Sequence, residues 1–151
     1  MAPSAGLPEG QVSMEADGFD AESVAAYWLT EAEDALQVAQ HLIEKADYSY
    51  ALFFGHLAIE KMLKALYALR LRAHAPPIHN LLRLARAIGL DLDEARTEAL
   101  LRITAFNIEA RYPDVKRAFR QVCTPEYTMQ EMATIKELFG WLRSQPTSTE
   151  A

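Results

Sequence analysis

The chain has 151 residues, half of them apolar, one cysteine and a formal net charge of −6. That is the size of one domain with a core of its own, and the single thiol, Cys123, excludes an internal disulfide framework and a cysteine-based zinc site. A reducing, cytoplasmic setting fits this cysteine usage. Residues 1–20 lack the basic and apolar blocks of a signal peptide, and no apolar run nears the roughly 20 residues needed to span a bilayer. The charge is unevenly spread: residues 1–60 hold one Lys or Arg against eleven Asp or Glu, and residues 61–120 hold twelve against six. Such a division implies either an anionic partner for the middle of the chain or charge balance between neighbouring helices.

Residues 1–19 carry Pro, Gly and acids without periodicity and read as a flexible acidic tail. Residues 146–151 read as a second tail, which leaves one domain over 20–145. The first helix is expected over 22–45, capped by Asp20 or Ser23, with Ala25, Trp28, Leu29, Ala32, Leu36, Ala39, Leu42 and Ile43 at helical spacing. Asp47 is the next cap, and a helix over 48–72 is apolar on most of its circumference, the mark of a central helix or one shared with a second subunit. His74-Ala-Pro-Pro77 breaks that pattern.

A short helix over 79–88 ends at Gly89, placed for a left-handed stop. Asp91 with Glu94 three residues on opens a fourth helix that runs to about 110. Tyr112-Pro113 ends it, because proline pushes the preceding residue out of the α region. Residues 113–125 read as a basic connection with room for one helical turn at 115–119. Thr128-Met-Gln-Glu131 has the form of a capping box for a last helix that reaches about 143. No strand alternation, repeat or low-complexity segment appears. The fold class is therefore all-α, an up-down bundle of four to five helices, with antiparallel neighbours across its short links.

The most concentrated polar chemistry is Asn107-Ile-Glu-Ala-Arg111-Tyr-Pro-Asp114. Asn107 and Arg111 are an i,i+4 pair on one helix face, and a planar guanidinium suits carboxylate or phosphate. Asp114 is a candidate partner for Arg111, and a cation also suits a helix C-terminus. Lys116, Arg117 and Arg120 follow within nine residues. A second polar line, His56, Glu60 and Lys64, stacks at i, i+4 and i+8. It is either a buried network, with Glu60 raising the His56 pKa, or an exposed ion pair beside a satisfied histidine; spacing alone favours the exposed form. His79, at the start of the short helix, is either a phosphate contact at open amides or an exposed first-turn residue. No phosphate loop, H-E-x-x-H, C-x-x-C or G-x-S-x-G occurs, and the four histidines lack metal spacing, so no metal or cofactor is implied.

The strings His56-Leu-Ala-Ile-Glu60-Lys61-Met-Leu-Lys64-Ala-Leu, Ile78-His79-Asn80-Leu81-Leu82 and Asn107-Ile-Glu-Ala-Arg111-Tyr-Pro-Asp114, in that order, resemble the HEPN domain, in particular its stand-alone prokaryotic branch. The resemblance covers about 21–143. It implies a bundle of four or five helices, a homodimer, an association with nucleotide or RNA, and a minimal nucleotidyltransferase as partner in a two-component toxin–antitoxin or defence system. Taken with the polar residues above, the expected nucleotide or phosphate contacts are Asn107, Arg111, His79, Lys116 and Arg117, with His56, Glu60, Lys64 and Asp114 in support. Many members are metal-independent ribonucleases with an R-x(4–6)-H motif doubled across the dimer. Here no histidine follows Arg111 anywhere in the chain. Arg72 and His79 satisfy the spacing formally, across the Pro76-Pro77 loop. Arginine stabilises phosphate charge but cannot serve as the base, so a non-catalytic binding subunit is the leading expectation. A ribonuclease with a displaced histidine, His79 or His56, is the second, and a dimeric interaction module the third.

Overall fold

The computed structural model describes residues 18–148, and six α-helices account for nearly all of the regular structure among them. They are α1 (Ala21–Glu44), α2 (Tyr48–Leu71), α3 (Leu81–Ile88), α4 (Glu94–Glu109), α5 (Pro113–Val122) and α6 (Pro125–Arg143). No strand occurs among the described residues. The all-α bundle is as expected, and the additional helix is α5. Most of the expected N-terminal tail, and the last three residues of the C-terminal one, lie outside the described residues.

Local chemistry sets the helix ends. The Asp20 carboxylate accepts from the Ser23 amide at 3.1 Å, and the Asn80 side chain accepts from the Arg83 amide at 3.0 Å. Each satisfies a donor that a helix start leaves open. Gly89 closes α3 at φ 84°, a left-handed value glycine adopts without steric cost, and Leu90 then donates to the Ala85 carbonyl at 3.1 Å.

Several boundaries differ from the sequence reading. α4 is capped by Asp93, not Asp91: its carboxylate accepts from the Arg96 amide at 2.8 Å. α3 starts after Asn80, so His79 stands outside it. α6 is capped by Thr124, whose hydroxyl accepts from the Tyr127 amide at 3.1 Å. Thr128, expected as that cap, is a buried residue inside α6 with its hydroxyl unpartnered. Thr124 wins because Pro125 follows it: proline at the first helical position has φ preset and lacks only a donor that would be unpaired there. Pro113 acts in the same way, so α4 stops and α5 starts within a few residues. The basic connection is thus a helix of ten residues. Phe119 anchors its apolar side, with its ring 5.5 Å from that of Phe106.

α2 is the axis of the bundle, and α1, α3, α4, α5 and α6 all pack against it. α1 lies along it on the buried Ala25, Ala32, Ala35 and Ala39. Small side chains at such a contact let two helices approach closely. Leu29, Leu36, Leu42 and Ile43 flank that line, half-buried against the core. Where α2 meets α6 the Ile135 side chain sits directly on Gly55, since a Cβ there would stand 2.5 Å from Ile135 Cδ1. Ion pairs tie the outer faces together: Lys61 to Glu31 at 3.1 Å, Arg143 to Glu33 at 2.6 Å and Arg102 to Glu131 at 2.9 Å. Part of the charge asymmetry is therefore balance between helices.

The reassigned cap has a direct test in urea unfolding. Thr124→Ala lowers stability by about 1 kcal/mol, the usual loss of an N-cap oxygen. Thr128→Val leaves stability unchanged or raises it, because a buried hydroxyl without a partner is replaced by a methyl group. Greater damage from Thr128→Val than from Thr124→Ala would restore the capping box.

Candidate functional site

The polar line on α2 is buried, contrary to the exposed form that spacing favoured. His56 is 0 % exposed and Glu60 4 %. Glu60 divides its carboxylate: Oε2 takes Lys64 Nζ at 3.0 Å, and Oε1 takes His79 Nδ1 at 3.1 Å. The backbone carbonyl of His79 accepts from His56 Nε2 at 3.1 Å. Since a carbonyl only accepts, His56 carries its proton on Nε2, and its Nδ1 lone pair is left buried without a partner. Burial keeps His56 below its ordinary pKa, and the opposing help from the His79 carbonyl and Glu60 is smaller. Glu60 does push this pKa up, as expected, but desolvation of a fully buried imidazolium outweighs a carboxylate 3.7 Å away, so the net shift is down.

Asn107 lies on α4 and is 8 % exposed. Arg111, exposed, is one turn further on. The Asn107 amide oxygen accepts from Arg111 Nη1 at 3.3 Å, which occupies one of five guanidinium donors and tethers the group. Arg111 also stands near enough to His56 to disfavour its protonation, so the fold brings the motif on α4 to the network on α2. Lys116 and Arg120, one turn apart on α5, hold their cations 5.2 Å and 5.9 Å from the centre of the Tyr50 ring on α2. Lys116 first, then Arg120, draws the Tyr50 phenol below the usual tyrosine pKa. Arg117 is exposed on the same helix.

The cations of the middle segment differ in what they meet. Lys61, Lys64, Arg72, Arg96 and Arg102 each face a carboxylate, and Arg70 donates to the carbonyls of Ile88 and Pro146. Arg83 and Arg86 of α3 stand without an ion pair among the described residues, as do Arg111, Lys116, Arg117 and Arg120. The last four are the longest unmatched run, and it follows directly on the Asn107 tether. Asp114, a candidate partner of Arg111, is exposed and does not pair with it. His79 is neither a first-turn amide neighbour nor simply exposed: its half-exposed ring is held by Glu60. Arg72 of the formal arginine–histidine match reaches instead toward Glu22, at 3.7 Å. Tyr50 is the residue the sequence reading missed. Spacing gives it no distinction from the other aromatics of α2, and its place under two cations shows only once 116 and 120 share a helical face. Among the described residues no group of three or more His, Cys, Asp or Glu is placed to hold a metal ion, and no helix is long and apolar enough to cross a membrane.

The neutral His56 couples folding to pH. Its unfolded value lies near 6.5 and its folded value is lower, so between the two the unfolded chain binds the extra proton. Stability is accordingly full above that window and falls as pH drops below about 6.5. His56→Gln, which keeps a donor for the His79 carbonyl, flattens this slope in unfolding curves taken between pH values of about 7.5 and about 5; an unchanged slope would show that His56 is not its source.

The sequence profile of the HEPN domain matches residues 25–145. No curated protein matches the chain. Among solved structures, TT1696 from Thermus thermophilus is similar, with a TM-score of 0.68 at 25 % identity over 79 % of this chain and 95 % of that one. The profile spans the bundle from within α1 to the end of α6, and so takes in both the α2 network and the Asn107–Arg111 pair. On that match the chain belongs to the HEPN domain family.

Proposed function

We propose that this chain is a binding subunit that holds nucleotide or RNA phosphate on Arg111 and on the cations of α5. Its partner in this reading is a minimal nucleotidyltransferase, in a two-component toxin–antitoxin or defence-type system, and it acts as a homodimer in the cytoplasm. The observation that carries the reading is the set of four cations over 111–120 without a carboxylate among the described residues, whereas the cations that face α1 and α6 are matched. Four positive groups on one surface segment form an electrostatic footprint for a polyanion. Asn107 is buried and gives its amide oxygen to Arg111, which reduces the freedom the guanidinium loses on meeting a phosphate. Membership of the HEPN family supports nucleotide or RNA as the class of polyanion.

A second reading is favoured by one specific feature, the Glu60–His79 pair. A carboxylate on Nδ1 orients the ring and leaves Nε2 of a half-exposed histidine for proton transfer. With Arg111 stabilising phosphate charge, His79 would take the 2′-hydroxyl proton in metal-free RNA cleavage. The family's histidine after Arg111 is missing from the sequence, so binding without cleavage is the preferred function.

Purified protein incubated with RNA in EDTA separates the two. The expected result is no cleavage, with retention of RNA that falls as salt rises. Arg111→Ala then weakens binding for all sequences alike and lowers the salt slope by about 0.7, the share of one single-strand phosphate contact. Cleavage that disappears in both Arg111→Ala and His79→Ala, with folding intact, makes the chain a ribonuclease. Loss of stability alone in Arg111→Ala, with neither binding nor cleavage in the parent, leaves an interaction module.

A further inference from the structure

Beyond Arg111, at the far end of α5, a cavity of about 360 Å3 opens between the end of that helix and the start of α2. Asp47, Ser49, Tyr50, Arg120 and Cys123 are among its lining residues. The first amide of α2 to find a backbone acceptor is that of Ala51, which donates to the Asp47 carbonyl at 2.9 Å. The amides of Tyr48, Ser49 and Tyr50 have no acceptor among the described residues, because Asp47 makes no side-chain capping bond. A long helix therefore presents open donors, and the positive end of its dipole, to this cavity.

Ser49 gives the second, independent sign. It is only 7 % exposed, lines the cavity, and its hydroxyl bonds to no described residue. The residue is more than nine-tenths buried, yet its hydroxyl has no protein partner and stays open to the cavity, so a ligand there can take the bond that water otherwise makes. Arg120 lines the same cavity and is free of carboxylates, with Lys116 one turn behind it over the Tyr50 ring. Cys123 adds nothing reactive, since burial first and Glu109 second push its thiol up to about 11. The negative groups at hand are the exposed Asp47, which lines the cavity, and Glu109, which acts on Cys123.

We propose that this cavity is a phosphate site in its own right, which takes a terminal phosphomonoester on the amides of Ser49 and Tyr50, the Ser49 hydroxyl and the Arg120 guanidinium. Donors of three kinds converging on one place suit a group with three free oxygens better than a bridging diester, which has two. The site goes beyond the Arg111 reading: it shares Arg120 with that surface but does not need Arg111. The intervening α5 has ten residues, so about 15 Å of helix separates the two.

The test is a titration of isotope-labelled full-length protein with inorganic phosphate at constant ionic strength, reading backbone amide shifts. Ser49 and Tyr50 amides shift saturably with phosphate and not with chloride. Arg120→Gln weakens the effect about tenfold, the scale of one charge-assisted bidentate contact. Asp47→Asn tightens it by removing the competing carboxylate. Short oligoribonucleotides with and without a 5′-phosphate then identify the source. Tighter binding of the phosphorylated one points to RNA ends, and equal binding points to free phosphate; either keeps the site. Shifts that grow linearly, that chloride reproduces, or that saturate with undiminished affinity in a folded Arg120→Gln protein overturn it. Amides around Asn107 and Arg111 report the other site in the same spectra, so failure of one reading is seen apart from failure of the other.

Discussion

A carboxylate on the central helix is the demand around which the rest is arranged. Glu60 sits among the buried residues of α2, where an ion left unpaired is strongly destabilising. Its two oxygens therefore determine what surrounds them. One calls for Lys64 from the next turn. The other calls for His79, which comes from outside any helix and must be delivered by the loop after α2. Once His79 is held there, its carbonyl faces His56 and takes that ring's proton-bearing nitrogen. Lys64 in turn lies 5.2 Å from the centre of the Trp28 ring, which links the same charge to α1. The path of the loop, the start of α3 and the tautomer of a buried histidine are all tied to one nearly buried carboxylate.

The surface chemistry follows from a second constraint, the placement of prolines. Pro113 ends one helix and starts another. Arg111 thus lies at the end of α4, and the cations after it fall on an amphipathic helix whose Phe119 faces the core. Had 113–122 been an irregular loop, Lys116 and Arg120 would share no face and Tyr50 no pair of cations. The long helices balance charges against their neighbours, α1 against α2 and α6, and α4 against α6. α5 does not. A helix whose cations meet no carboxylate among the described residues repels itself, which is the physical content behind reading it as a surface for phosphate.

Much of the bundle was legible because the relevant physics is local. The periodicities of α1, α2 and α4, the cap at Asp20, the left-handed stop at Gly89 and the break at Tyr112-Pro113 each involve residues only a turn apart. The Asn107–Arg111 bond belongs to this group, an i,i+4 contact that any helix would make. The errors at Thr128 and Asp91 are also local. Two candidate caps competed within a few residues, and proline after one true cap and extended backbone at the other decided between them.

What tertiary structure alone decided is which polar groups lose water. His56, Glu60 and Lys64 have the same spacing whether the face they share is wet or covered. Packing of α1 and the His79 loop covers it, and that reverses the expected shift of the His56 pKa. Nor could a separation of 19 positions announce that His79 would meet Glu60, or local spacing that Tyr50 would lie under cations from α5. By itself the sequence determined where helices begin, end and present an apolar stripe, since those preferences act within a turn or two. Desolvation and pairing across helices depend on distances no local spacing contains, and they are what turn scattered polar residues into a site.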